Sequence, residues 1–370
     1  MTNNEQRVTR QRQICVIPGD GIGHEVIPAA VDVLQATGLP LTFVTTEAGW
    51  DVFQRIGTAL PPETLATVRA SDAVLFGAVS SPSHRVPGYR SPIVQLRRAL
   101  DLYANLRPVQ SPRPSHANAN HQSSGLGAWN LVVGSLGLGF RTCDLLIVRE
   151  NSEGLYSGRE RVEARGDVVI AERVISRWGV ERIARVALEQ ARRRRRQLTI
   201  VHKANVLRES DGLFRQVVLD MARGYPDVRV EEQLVDSMAY RLIRDPEVFD
   251  VIVTPNLYGD ILSDEAAALA GGLGLVASAN VGDATRPVGI FEPVHGSAPD
   301  IAGQGIANPL GAVQAAAMLL DALSEQAMAR RIRCAVDTVL RNGPYTPDLG
   351  GQATTSEVTQ AVIAALVPEQ

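Results

Sequence analysis

The chain has little of several things, and each scarcity narrows what it can be. Only three cysteines occur in 370 residues, Cys15, Cys143 and Cys334. They match neither a CxxC metal clip nor a disulfide framework, so reduced thiols in a cytoplasmic protein are expected. No apolar run approaches the ~20 residues that span a bilayer, which gives no reason to expect a membrane protein. The first residues, MTNNEQRVTRQRQ, are polar and lack the apolar core of a secretory signal, although their arginines leave a short mitochondrial presequence open. The net charge is only -3, so nucleic acid is not an expected partner. Aromatic residues make up 5% of the chain, and none form a platform beside the arginine run at residues 192–196. That run therefore reads as cations on a solvated face, complementing the C-terminal dipole of a helix. With 45% hydrophobic and 21% charged residues, the composition is that of a globular protein, long enough for one large domain or two intertwined ones.

What is present is an alternation of short strands and helices. Residues 14–17 form an apolar strand, followed by PGDGIGHEV and a helical pattern through Leu34. Gly19, Gly21 and Gly23 invite a dinucleotide reading, yet GDGIG is not GxGxxG, and no Rossmann fold follows from it. Further strands are expected at 41–46, 73–76, 145–148, 199–202, 228–234 and 251–253. Helices are expected at 92–100, 178–196, 256–275, 310–323 and 325–341, with a closing helix at the end. Ser91 stands where the helix at 92–100 needs a cap, and residues 155–175 alternate like a hairpin arm. No internal repeat or linker divides the chain, so an α/β protein with interleaved lobes is expected. Residues 111–141 read as a long loop, whose apolar part at 129–140 is suited to packing against a neighbouring subunit.

The stretch NLYGDILSDEAAALAGGLGL organises the rest. Asp260 and Asp264 are four residues apart, so on a helix both carboxylates leave one face a turn apart. Such hard oxygen ligands suit Mg2+ or Mn2+, while a solvated pair near a helix N-terminus is the plainer alternative. Arg97, Arg107 and Arg149 lie at or near strand and helix ends, where guanidinium forks can converge on a carboxylate-rich substrate or form ordinary salt bridges. Lys203 and Asp236 follow two further strands, the place where open α/β sheets put their chemistry. The loop after Pro287 offers backbone amides and acceptors suited to a nucleotide.

Taken together, PGDGIGHEV, LRRALDLYANLRP, VRENSEGLY, HKANVL, VDSMAYRL, NLYGDILSD and HGSAPDIAGQGIANP resemble the β-decarboxylating dehydrogenases of 2-hydroxy acids. That family includes the isocitrate, 3-isopropylmalate and homoisocitrate dehydrogenases. The resemblance implies a two-lobed isopropylmalate dehydrogenase-like fold, with a cofactor-side lobe at residues 1–110 and 270–370. Residues 111–269 would then form a smaller lobe with a dimerisation arm and the metal helix. It also implies a homodimer, or a dimer of dimers, with active sites shared between subunits.

Position by position, Arg97, Arg107 and Arg149 resemble the clamps on the substrate carboxylates, and Tyr156 the donor that protonates the decarboxylated carbon. Lys203 resembles the base supplied by the partner subunit. Asp236 of the partner subunit, with Asp260 and Asp264, resembles the Mg2+ or Mn2+ site. Asn205 resembles the residue that reaches both substrate and nicotinamide. His295, Gly296, Ser297, Ala298, Asp300, Ile301 and Asn308 resemble the adenosine-binding loop of an NAD enzyme. Asp300 and Ile301 stand where NADP-dependent relatives carry Lys and Tyr.

The segment SSPSHRVPGYRSPIVQLRR bears on the substrate. Ser81, His84, Arg85 and Ser91 give it a polar lining suited to a tricarboxylate, and the acidic, leucine-rich stretch of isopropylmalate enzymes is missing. VPGY, SPIV, TPDLGG and HEVIPAA are most similar to the members acting on homoisocitrate, which form 2-oxoadipate and CO2 in lysine biosynthesis by the α-aminoadipate route. Enzymes accepting both acids are basic where this chain has Val94, and valine suggests room for the longer acid and a poorer grip on the shorter, so isocitrate is the runner-up, with 3-isopropylmalate a further alternative. A non-catalytic regulatory subunit is the alternative of a different class, and the presence of Lys203 and Tyr156 argues against it.

Overall fold

The computed structural model describes residues 11–84, 86–111, 143–284 and 286–366. Arg85 and the apolar piece at 129–140 lie outside the described residues. Twelve strands are formed among the described residues, in chain order β1 (Arg12–Gly19), β2 (Leu41–Thr45), β3 (Ala73–Ala78), β4 (Ala104–Gln110), β5 (Asp144–Glu150), β6 (Gly154–Glu163), β7 (Val168–Val174), β8 (Gln197–His202), β9 (Arg229–Leu234), β10 (Val251–Thr254), β11 (Ala277–Val281) and β12 (Ile290–Pro293). The helices are α1 (Gly23–Ala36), α2 (Trp50–Ile56), α3 (Pro62–Ala70), α4 (Pro92–Ala99), α5 (Arg177–Arg193), α6 (Ser210–Ala222), α7 (Val235–Arg244), α8 (Asn256–Leu269), α9 (Leu310–Ala322), α10 (Gln326–Asn342) and α11 (Thr355–Leu366).

Ten strands form one sheet in the order β2-β1-β3-β12-β11-β4-β5-β10-β8-β9. Both ends are parallel, while β11 runs antiparallel to β12 and β4, and β4 antiparallel to β5. The fold is thus a doubly covered α/β sheet with an antiparallel centre. Strands such as β3 and β10 are buried along their whole length and read AVLFGA and VIVT. Continuous apolar, β-branched runs of this kind are what a strand covered on both faces requires. One core packs α1, α9, α10 and α11 on the β1–β3 end, and others pack α5 to α8 on the β5, β8 and β10 end. α10 shows why its residues are helical. Ala329, Ile332, Ala335, Val336 and Val339 recur at helical spacing on its buried face, and Gly343 ends it with a φ of 78°.

Most strands expected from the sequence are present, and the differences have physical causes. The helix expected through residue 275 stops at Leu269. Gly271 and Gly272, at φ of 104° and 124°, break it before a short 3-10 turn. Ser91 stands at the N-cap of α4, but its side chain makes no capping bond. The arginine run also does more than face solvent. Arg194 Nε and the Arg195 backbone N–H both donate to the fully buried carboxylate of Asp250, at 2.8 and 2.7 Å. β11, β12, α2, α3, α6 and α7 were not expected as elements, the strands because they are short and lie in a glycine-rich region. The arm at 155–175 is present as the β6–β7 hairpin, with Val162 67% and Val169 63% exposed. No helix among the described residues is long and apolar enough to cross a membrane.

The glycine motif after β1 is architectural. Asp20, 1% exposed, accepts backbone N–H bonds from Trp50 at 2.8 Å, Asp51 at 3.1 Å and Ser80 at 2.8 Å. One carboxylate therefore starts α2 and fixes the turn after β3. A Cβ on Gly21 would lie 2.1 Å from the Ser297 carbonyl oxygen, so the glycine permits the close approach of the 295–301 loop. Because charge-assisted bonds to a buried carboxylate are strong, Asp20→Asn is expected to cost about 2 kcal/mol. The midpoint of urea denaturation, compared with that of the unmodified chain, checks this.

Candidate active site

The centre of the sheet carries two of the three arginines. Asn105 on β4 lies opposite Arg149 on β5, with Arg107 two residues along. α8 crosses over these strands so closely that a Cβ on Gly259 would stand 2.6 Å from Arg149 Cγ. The glycine of NLYGD is therefore required by the arginine stem beneath it.

Both guanidinium groups are buried, Arg149 to 2% and Arg107 to 7% exposure, and each is matched to acceptors. Arg149 donates from Nε and Nη2 to Asn256 Oδ1, at 3.1 and 2.8 Å, and its Nη1 pairs with Asp260. Arg107 donates to Asn105 Oδ1 at 2.8 Å, Ser263 Oγ at 2.6 Å, Asp264 Oδ1 at 3.0 Å and Asp260 Oδ1 at 3.3 Å. The Tyr156 hydroxyl donates to Asp260 Oδ2 at 2.5 Å, and its ring lies 5.2 Å from the Arg149 guanidinium carbon. Arg97 pairs with Glu292 at 3.0 Å, while its Nε is buried with no hydrogen-bond partner among the described residues. A buried donor without an acceptor costs free energy unless a ligand supplies one.

These contacts set the ionisation states. Burial pushes the Asp260 carboxyl up, but Arg149, the Tyr156 hydroxyl and Arg107 outweigh it and hold the group below its ordinary value. Asp264 goes the other way, because burial, aided by the charge of Asp260, outweighs Arg107. Burial and then Asp260 raise the Tyr156 phenol, so it keeps its proton at neutral pH. Burial and the neighbouring Arg107 lower Arg149, against the pull of Asp260, and it remains a cation. Beside this cluster, Val94, Arg97, Asn151, Ser152 and Tyr156 are among the residues lining a cavity of about 170 Å3.

Lys203 and Asp236 form a second group. They pair with each other, and the Lys203 hydrogen bond holds the Asp236 carboxyl below its ordinary value. Asp236 opens α7, whose exposed face lines a surface cavity of about 770 Å3 with Ser237, Tyr240, Arg241 and Arg244. Among the described residues no group of three His, Cys, Asp or Glu side chains is close enough to hold a metal, so Asp236 does not join Asp260 and Asp264 within one chain. Asn205 is exposed in the turn after Lys203, and Ser81 is exposed after β3.

The 295–301 loop is tied down at its back and open at its front. The Ser297 carbonyl accepts from the Ile22 N–H at 2.9 Å, and its hydroxyl accepts from Ser80 Oγ at 2.7 Å. Ala298 holds a φ of 39°, and Gly296 and Asp300 are exposed. His295 Nε2 is buried with no hydrogen-bond partner among the described residues, and burial lowers the ring's pKa, which leaves it neutral. Asn308 is engaged internally, donating to Asp348 at 3.0 Å and accepting from the Leu310 N–H at 3.0 Å.

Sequence reading missed Asn256 and Ser263, which share the helical face of Asp260 and Asp264 at spacings of four, seven and eight residues from Asn256. That spacing was the signal available. It also missed Asn105, Asn280 and Glu292, polar residues set inside short strands.

The chain matches the isocitrate/isopropylmalate dehydrogenase family over residues 13–362. It belongs to that family. An isocitrate/homoisocitrate dehydrogenase of Thermus thermophilus is 54% identical over 355 residues, covering 96% of this chain and 98% of the relative. A 3-isopropylmalate/3-methylmalate dehydrogenase of Methanocaldococcus jannaschii is 46% identical, covering 95% and 97%. The crystal structure of an isocitrate dehydrogenase from Methylococcus capsulatus aligns with a TM-score of 0.84 at 40% identity, covering 96% of this chain and 99% of that one. The chain is therefore an oxidoreductase, a β-decarboxylating dehydrogenase. The relatives differ in substrate, and the family alone leaves the substrate open.

The ion pairs of Asp260 give a pH-dependent prediction. Its carboxyl is depressed on folding, so the stability it contributes is present above the unfolded value and lost as pH falls through the folded one. In chelator-treated protein, Asp260→Asn is expected to cost ~1–2 kcal/mol at pH 7, because it leaves Arg149 buried without its anion. The difference from the unmodified chain is expected to begin shrinking only below about pH 4, the unfolded value, and to close once the pH lies below the depressed folded value. Thermal melts of both proteins at pH 7 and at successively lower pH check this.

Proposed function

We propose that the enzyme oxidises and decarboxylates homoisocitrate with NAD+, giving 2-oxoadipate, CO2 and NADH, in lysine biosynthesis. The observation that carries this reading is the small cavity beside the arginine cluster. It combines an unpartnered Arg97 Nε with the neutral, half-buried Val94. A guanidinium with an unused donor suits a carboxylate, and valine leaves room for the longer acid. The Thermus relative named for both isocitrate and homoisocitrate is consistent with this choice.

Asp260 and Asp264, with Asp236 of the partner subunit, fit Mg2+ or Mn2+ by their hard oxygen donors. The 295–301 loop, with its exposed Gly296 and Asp300 and the unpartnered His295 Nε2, fits the adenosine end of NAD. When bound, the dinucleotide supplies the hydride acceptor and the divalent ion the Lewis acid.

Arg97, Arg107 and Arg149 hold the substrate carboxylates and orient the hydroxyl-bearing carbon. Lys203 Nζ of the partner subunit takes the hydroxyl proton, directly or through water, as the C–H electron pair departs as hydride. The C–C bond to the β-carboxylate then breaks and its electrons remain on the substrate. The Tyr156 hydroxyl, kept protonated by burial and Asp260, returns a proton to that carbon. Asn205 of the partner subunit lies within reach of substrate and nicotinamide in this arrangement. Asp300 accepts from the ribose hydroxyls and repels a 2′-phosphate, so NAD+ is preferred to NADP+.

The test is NADH formation with homoisocitrate, isocitrate and 3-isopropylmalate side by side. Homoisocitrate is expected to have the highest kcat/KM, and Val94→Arg is expected to raise the isocitrate-to-homoisocitrate ratio by about tenfold or more. If isocitrate or 3-isopropylmalate is the best substrate of the unmodified enzyme, the homoisocitrate assignment is wrong.

The same reading makes the enzyme a homodimer, or a dimer of dimers. Its cofactor-side lobe comprises residues 1–110 and 270–370, and its other lobe, 111–269, carries the exposed arm. Lys203→Ala and Asp264→Asn are each expected to be nearly inactive. Co-expressed, they form mixed dimers in which one site carries both lesions and the other carries neither. Random pairing makes about half the dimers mixed, so roughly a quarter of the unmodified activity should return. Mixed dimers as inactive as either parent would place Lys203 in its own subunit's site.

A further inference from the structure

The clamp arginines are joined through the protein interior by one amide. Asn280, on β11, is 0% exposed and uses its whole hydrogen-bonding capacity. Its Oδ1 accepts from Asn105 Nδ2 and from Asn151 Nδ2, both at 3.0 Å. Its Nδ2 donates to Glu292 Oε1 at 2.7 Å and to the Ile290 carbonyl at 3.4 Å. Asn105 Oδ1 in turn receives Arg107 Nε at 2.8 Å, and Glu292 Oε1 receives Arg97 Nη2 at 3.0 Å.

The direction of this chain is fixed by chemistry. A guanidinium only donates, so the oxygen of the Asn105 amide must face Arg107 and its nitrogen must face Asn280. Asn280 then has to present oxygen to Asn105, which turns its nitrogen toward Glu292. The carboxylate, which only accepts when ionised, is satisfied by that nitrogen on one side and by Arg97 on the other. No other residue type of this size offers two acceptor sites at one end and two donors at the other. Asn151, the third partner, lines the same cavity as Arg97 and Tyr156.

We propose that Asn280 is a positioning residue for substrate binding, setting the separation and orientation of Arg97 and Arg107. It does so through Glu292 on one side and Asn105 on the other, and it holds Asn151 in the cavity wall. The inference rests on the reading that these arginines grip substrate carboxylates. It goes beyond that reading by assigning their geometry to a residue that touches no substrate.

Asn280→Asp changes only the nitrogen end, placing a carboxylate oxygen against Glu292. Steady-state kinetics of the full-length enzyme use the faster of homoisocitrate and isocitrate, with Arg97→Gln as reference. The expected result for Asn280→Asp is a KM for the acid raised about tenfold, with kcat changed less than about threefold and KM for NAD+ unchanged. In the Arg97→Gln background the same change should have a smaller effect, because its target is already lost. If Asn280→Asp does not fold, Asn280→Ser, whose smaller hydroxyl leaves room for water, carries the same comparison. A raised KM in Arg97→Gln beside an unchanged KM in the Asn280 variants overturns the positioning role alone. So do effects that fall equally on kcat and on both substrates and add in the double variant. An unchanged KM in Arg97→Gln sinks the clamp reading, and the positioning role with it.

Discussion

Two guanidinium groups buried at the centre of a sheet are the constraint on which the rest of this structure depends. A charge removed from water is tolerated only where ions and hydrogen bonds replace its hydration. Arg107 and Arg149 come from neighbouring antiparallel strands and share Asp260, which also receives the Tyr156 hydroxyl. That sharing dictates much of the surroundings. α8 must pass close enough to bring Asp260 down, which leaves no space for a side chain at 259, and Asn256 must open the helix to take the other Arg149 donors. Asp264, one turn on, shares Arg107 with Asp260 but is half exposed and less well compensated, so its carboxyl is raised where that of Asp260 is lowered. Two aspartates on one face thus differ in affinity for a proton. The difference leaves the outer one as the group with the most to gain from an added cation.

The same physics recurs at the edges. Asp20 and Asp250 are buried carboxylates that accept backbone N–H bonds from loops joining distant parts of the chain. Each converts a sequence of small or charged residues, PGDGIG or RRRRR, into a fixed crossing. Such groups use ionic hydrogen bonds for architecture. They explain why a glycine-rich loop and a basic run that resemble ligand sites are occupied by the protein itself.

How much of this was legible in the sequence follows from the range of the interactions. Strands such as β3 and β10 and helices such as α9 and α10 announce themselves through local periodicity. Asp260 and Asp264 do so through their spacing of four. The family resemblance suggested the remaining candidates, and of these Arg107, Arg149 and Tyr156 lie against Asp260 and Asp264. What local pattern could not convey was pairing across long separations. Asn105 meets Asn280, 175 residues away, and Arg97 meets Glu292, 195 away. Asn105, Asn280 and Glu292 each sat in a short strand and looked like an interruption. In the fold they are the connections between arginines.

That division also explains why the family resolves the reaction more firmly than the substrate. Arg107 and Arg149 are carried by central strands and locked by Asp260, Asn256 and Asn105, so changing either disturbs several satisfied groups at once. Val94 belongs to α4, on the wall of a cavity of about 170 Å3, where one side chain can change without unpairing another. A relative named for 3-isopropylmalate and 3-methylmalate and one named for homoisocitrate are each 46% identical to this chain. Percent identity averages over the locked centre and the cavity wall alike, so it weighs a buried, fully paired arginine no more heavily than an unpaired valine.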